Sequence, residues 1–233
     1  MIIFIPPLLL VMAVSLQHVA PEQNAPDFIS YAFQDTLAGR SYNLDSLKAL
    51  IGNNKGLPEG FEVAAAIAYS AYPELKNVKI DMVLTQGGAP MESNFKFWSM
   101  FGARKNRRYR ILLNDAKNSH FEPILLHSLP FDAQVGILAH ELGHVVYYHK
   151  LNLLQIAKWG LKYSTSDTFR AAHERTTDLM PVYHGLGSQI WQYAYFVRRD
   201  PSCVAFYEKS KGFVDTYYMT DLQLWEVIKG YKD

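Results

Sequence analysis

The stretch His140-Glu141-Leu142-Gly143-His144 constrains this chain more than any other, because it commits to a chemistry as well as to a shape. On a helix, residues four apart stand about 40° apart around the axis, so both imidazoles can bind one metal ion from the same face. Glu141 stands about 100° round from His140, awkward for the same metal but placed to reach a water in an open coordination position. That is the arrangement of a zinc hydrolase, with Glu141 as its base. The flanks, Asp132 to Ala139 and Val145 to Tyr148, are apolar nearly all round, which puts the helix in a core. Two histidines and a glutamate are costly there without a metal or polar partners. Gly136, Ala139 and Gly143 form a stripe of small residues where a second helix can approach closely. Asp132 is placed to act as N-cap.

A catalytic zinc takes three protein ligands and a water, so the histidine pair needs a third partner. A three-histidine site would continue as HExxHxxGxxH. Here Tyr147 and Lys150 hold the glycine and last histidine positions, and His149 faces away. Downstream, the segment Ala171 to Asp178 places Glu174 and Asp178 on one helical face. HExxH followed by a helix carrying ExxxD resembles the gluzincin branch of zinc metallopeptidases and is most similar to the HtpX-like zinc endopeptidases. The resemblance covers about residues 107 to 190 and is specific at the two motifs. It implies His140, His144 and Glu174 as Zn2+ ligands and Glu141 as general base, with Asp178 orienting a ligand histidine through its far ring nitrogen. Thr177 stands where the family commonly has alanine, and the sequence shows no counterpart of the family's multiple membrane helices.

At 233 residues the chain has room for one domain with a sizeable core. A formal charge of +1 gives no reason to expect nucleic acid as a partner. Cys203 is the only cysteine, which excludes an intramolecular disulfide and a cysteine metal cluster and suits a small core residue. The apolar run from Met1 to Val14 has the length of a signal-peptide core, and Ala13-Val14-Ser15 supplies a small-x-small cleavage pattern. We therefore expect residues 1–15 to be a signal peptide or membrane anchor, 16–26 a linker, and 27–233 a single metallopeptidase domain. That places the protein outside the cytoplasm, exported or associated with a membrane through its N-terminal segment.

The remaining pattern predicts an α+β chain, mainly helical and zincin-like, with a small β-sheet ahead of the active-site helix. Helices are expected over residues 27–37, 44–51 and from Pro58 to Pro73, then strands over 79–84, 95–100 and 107–113, the last two as a hairpin. Pro181 should end or kink the Glu174 helix. Further helices are expected over 188–199, from Pro201 towards Gly212, and from a Thr220 capping box to about Gly230. The basic run Arg104, Lys105, Arg107, Arg108, Arg110 reads as a solvated turn and strand edge, or as a patch recognising acidic groups or lipid headgroups. Tyr147, Tyr183 and His184 are candidate oxyanion donors.

The function expected is a zinc endopeptidase acting on peptide or protein substrates, with the strand at 107–113 holding the peptide along a sheet edge. The alternative is a zinc-bound interaction or chaperone-like module with the same fold and no turnover.

Overall fold

The computed structural model describes residues 36–232. The expected signal segment, the linker and nearly all of the 27–37 helix lie outside the described residues. Within them the chain is α+β and mainly helical, with one small mixed sheet. Helix α1 (Leu44–Ile51), capped by the Asn43 side chain, leads to β1 (Lys55–Gly56) and α2 (Glu62–Ser70). Strands β2 (Lys79–Thr85), β3 (Met91–Phe95) and β4 (Arg108–Asn114) follow. The sheet order is β1-β2-β4-β3, with β2 parallel to both neighbours and β3 antiparallel to β4.

Alternation along the strands gives the sheet one buried face. Ile80, Met82, Tyr109, Ile111 and Leu113 point inward, while Arg108 and Arg110 point to solvent. That buried face shares one core with α2 and with α3 (Phe131–Lys150), the helix carrying HELGH. Five helices complete the chain: α4 (Leu153–Thr165), α5 (Asp167–Tyr183), α6 (Gly187–Arg199), α7 (Val204–Tyr217) and α8 (Asp221–Lys232). No helix among the described residues is long and apolar enough to cross a membrane.

Several local expectations need correction. The strand expected over 95–100 is instead β3 at Met91–Phe95, followed by a 3-10 turn over Phe97–Phe101. Lys96 N still pairs with Arg108 O, but Ser99 then closes the turn by bonding back to Lys96 O and accepting from Arg108 N. Consequently β4 lies between β2 and β3, so the sheet edge beside the HELGH helix is β3 rather than 107–113.

Asp132 is not an N-cap, because α3 begins at Phe131 after Pro130. Its buried carboxylate accepts instead from Thr36 Oγ1, the Leu37 and Ala38 amides, and Gln189 Nε2. The basic run is partly structural as well: Arg104 and buried Arg107 donate to the Lys150 and Leu151 carbonyls, where a cation suits the helix C-terminus. Pro181 does not end its helix, which continues past it to Tyr183. Asp200-Pro201-Ser202 forms a turn rather than a helix start, and α7 begins at Val204 and passes through Gly212. Cys203 is fully buried, and the Thr220–Gln223 capping box is present.

The small-residue stripe on α3 admits two helices. A Cβ on Gly136 would lie 2.2 Å from Gln189 O of α6, and one on Gly143 would lie 3.0 Å from Met180 Cβ and 3.1 Å from Thr177 Cγ2 of α5. Close approach at Gly143 brings the ExxxD face of α5 against the histidines.

Candidate metal centre

Helix α3 supplies His140, Glu141 and His144, all buried, and one ligand atom from each lies within 4.8 Å of the others. This group can hold a metal ion. Helix α5 adds Glu174, whose Oε2 lies 3.4 Å from both His140 Nε2 and His144 Nε2. A direct N–H···O hydrogen bond would be shorter, about 2.7 to 3.2 Å. Tetrahedral metal bonds of about 2.0 to 2.1 Å place neighbouring donors about 3.3 to 3.4 Å apart. The carboxylate oxygen therefore stands from each imidazole nitrogen at the spacing of neighbouring ligands around a cation. The donor set, two nitrogens and an oxygen, suits a divalent transition metal.

Supporting contacts fix each donor. Asp178 Oδ1 stands 2.9 Å from His140 Nδ1, the nitrogen turned away from Glu174, in a geometry too bent for a regular hydrogen bond. Its other oxygen accepts from Met219 N at 2.8 Å. The second Glu174 oxygen accepts from the Tyr163 hydroxyl of α4. His144 Nδ1 lies 3.1 Å from His173 Nε2 and 3.5 Å from Thr177 Oγ1. From the sheet, Ser93 Oγ lies 2.6 Å from Glu141 Oε2 and 2.9 Å from the Glu141 carbonyl.

Charge in this pocket runs negative, since three buried carboxylates face two imidazoles. Burial opposes a charged His140, yet Asp178 and Glu174 outweigh it and raise the imidazole pKa well above its usual value. Burial likewise pushes Glu174 up, but His140 and His144 hold it well below the usual carboxylate range. His173 goes the other way, lowered to about 4 by burial and by the neighbouring His144. Burial, then the Glu174 charge, raises the Tyr163 phenol and keeps it a donor. Such a site favours a cation, whether proton or metal.

All five residues expected at the site meet there: His140, Glu141, His144, Glu174 and Asp178. His149 faces away and contacts the Tyr109 hydroxyl. Two of the candidate oxyanion donors are engaged elsewhere: His184 pairs with Glu74 and stacks on Tyr72, and Tyr183 packs on Tyr231. Tyr147 packs against His173. The phenol beside His140 is Tyr218, with ring centroids 6.0 Å apart. Sequence reasoning missed Ser93, Tyr163, His173 and Tyr218. Of these, only Tyr163 had a local signal, the Asn152–Gln155 capping box that opens its helix.

A cavity of about 490 Å3 opens beside His140 and Glu141, bordered by the start of β3 and by α6, α7 and the α7–α8 junction. Comparison with protein-family models, curated proteins and solved structures finds no match. The gluzincin resemblance thus rests on the two motifs alone.

Proposed function

We propose that the protein is a zinc-dependent peptidase, with His140, His144 and Glu174 holding the metal and Glu141 acting as general base. The observation that carries this reading is the 3.4 Å spacing of Glu174 Oε2 from both imidazole nitrogens, with Glu141 adjacent. A zinc ion bound by these groups supplies Lewis-acid activation of a carbonyl and of water. Glu141 takes the proton from the attacking water and later delivers it to the leaving amine. Ser93 keeps the Glu141 carboxylate turned towards β3, and Asp178 keeps His140 facing the metal. Among the described residues no strand pairs with the outer edge of β3, and an extended peptide can lie along it.

A second reading follows from Glu141 itself. Its carboxylate is close enough to the two histidines to serve as a fourth ligand, closing the site as in a structural metal centre. In that case the protein is a metal-bound interaction module.

Elemental analysis of the purified chain, with His144→Ala as control, tests the metal assignment. One zinc per chain in the wild type and a marked loss in the variant are expected. Unchanged metal content in the variant would remove the site as drawn.

A further inference from the structure

Charge is unevenly placed along this chain. Residues 93–114 and 142–166 hold nine Lys or Arg and no Asp or Glu, although the formal charge of the whole chain is only +1. The fold brings these two segments together at one end of the molecule. Arg104 Nη2 donates to Lys150 O at 3.1 Å and Arg107 Nη1 to Leu151 O at 2.6 Å, so the turn after β3 lies against the junction of α3 and α4. Arg104, Lys105, Lys150, Lys158 and Lys162 are all exposed. Asp81 on β2 pairs with Lys96 at 3.6 Å, and among the described residues none of those five cations is in an ion pair.

Large apolar side chains stand among these cations. Trp98 is 84% exposed and Phe101 58%, both in the 3-10 turn that follows β3. On α4, Ile156 is buried and Trp159 packs against Tyr148, which gives the helix its inner face. Leu154, Lys158 and Leu161 recur at i, i+4 and i+7 and so form a second stripe, with Leu154 65% and Leu161 66% exposed. Single exposed apolar residues are ordinary, but several large ones set among lysines and arginines at one end of a molecule mark a contact surface.

We propose that this end of the molecule binds an anionic lipid surface, with Trp98, Phe101, Leu154 and Leu161 entering the interfacial layer and the surrounding Lys and Arg meeting the headgroups. Charge and composition together select this partner. Tryptophan is enriched at membrane interfaces, and lysines beside leucines bury their stems there while the ammonium groups reach phosphate. A protein interface excludes lysine from its centre, and a nucleic acid would use the cations and Trp98 but leave the two leucines in water. The apolar run from Met1 to Val14 contains no acidic residue to answer the cations. The inference goes beyond the peptidase reading and does not depend on it. Lys150 lies about 9 Å along α3 from His144, so a chain seated this way holds the candidate metal centre close to the lipid.

Co-sedimentation of the full chain with phosphatidylcholine vesicles, with and without phosphatidylglycerol, tests this. Binding should require phosphatidylglycerol and weaken as salt rises. Lys105→Gln combined with Lys158→Gln should weaken it by about 10- to 30-fold, and Leu154→Ser combined with Leu161→Ser by about 10-fold or more. All four positions are exposed, so both double variants should melt as wild type does. Tryptophan emission should shift to the blue on vesicles in the wild type and not in Trp98→Phe, because Trp159, Trp191 and Trp225 are less exposed than Trp98. No binding to either vesicle, equal binding to both, or a blue shift that survives Trp98→Phe would overturn the proposal. So would binding that both double variants leave unchanged, the result expected if residues 1–15 alone carry the attachment. A single-stranded oligonucleotide bound more tightly than the phosphatidylglycerol vesicles would give the surface to nucleic acid instead.

Discussion

Ser93 Oγ on the edge strand lies 2.6 Å from Glu141 Oε2 on α3, joining sheet and helix at the group proposed as base. A carboxylate held by a hydroxyl loses rotamer freedom and keeps one oxygen committed, which leaves the other free to meet a water. Ser93→Ala should therefore lower kcat by about 10-fold with metal content unchanged, and Ser93→Thr, which keeps the hydroxyl in a strand, should restore it. A purely structural role would instead show as a lower melting temperature that Ala and Thr share. Unaltered kcat in Ser93→Ala would mean that the contact positions nothing.

Asp178 faces two ways, towards His140 Nδ1 at 2.9 Å and towards Met219 N at 2.8 Å. Asp178→Ala should weaken zinc binding by about 10- to 100-fold, the usual cost of losing a carboxylate behind a metal-bound histidine. It should also lower stability by about 1 to 3 kcal/mol, because the Met219 amide loses its acceptor. Asp178→Asn separates the effects, since its amide oxygen can still accept from Met219. Chelator competition and thermal unfolding measure the two losses, and equal zinc affinity in wild type and Asp178→Ala would show that the contact to His140 does not support the metal.

Much of this site was legible in the sequence because helical period is a short-range property. His140, Glu141 and His144 fall on known faces of one helix, Glu174 and Asp178 on one face of another, and the glycines of α3 mark where the helices meet. What could not be read is what tertiary contact decides. The polar segment Met-Glu-Ser-Asn-Phe is a strand because it pairs with β4, while the more strand-like aromatic run after it folds into a 3-10 turn. Ser93 reaches Glu141 across 48 residues, and no local pattern announces such a contact. Asp132 looked like a cap because aspartate near a helix start usually is one. A segment 94 to 96 residues earlier claims it instead.

Backbone contact at Gly136 sets a sharper test of the packing. A methyl group there would sit 2.2 Å from Gln189 O, against an atom that cannot rotate away, so α3 and α6 must separate. Gly136→Ala gains about 1 kcal/mol in helix propensity but should lose about 3 kcal/mol or more in packing. A net fall of about 2 kcal/mol in chemical denaturation is expected. A variant as stable as wild type would mean that these helices do not pack in the register described.

Metal removal should be felt by the whole fold, because Glu174 Oε2 faces both imidazoles and three buried carboxylates crowd the same space. Zinc at about 100 times its Kd stabilises a folded chain by about 2.7 kcal/mol. Stripping the protein with a chelator should then lower Tm by about 5 to 10 °C, reversibly on adding zinc back. Identical melting curves with and without chelator would leave the group as a buried ion-pair network with no resident metal.

Glu141 decides between peptidase and closed metal site, because its carboxylate is close enough to serve either as base or as ligand. Glu141→Gln keeps the size and the contact with Ser93 while removing the negative charge and the proton acceptor. As a base, Glu141 is dispensable for the metal, so the variant should bind zinc as wild type does and lose peptide cleavage by about 100-fold or more. As a fourth ligand it is not dispensable, and zinc affinity should fall in the same variant with no cleavage in either protein. Digestion of a peptide library alongside zinc titration of both proteins reads the two quantities together. Cleavage that survives the substitution would remove Glu141 from the chemistry and send the search for a base to the remaining groups around the two histidines.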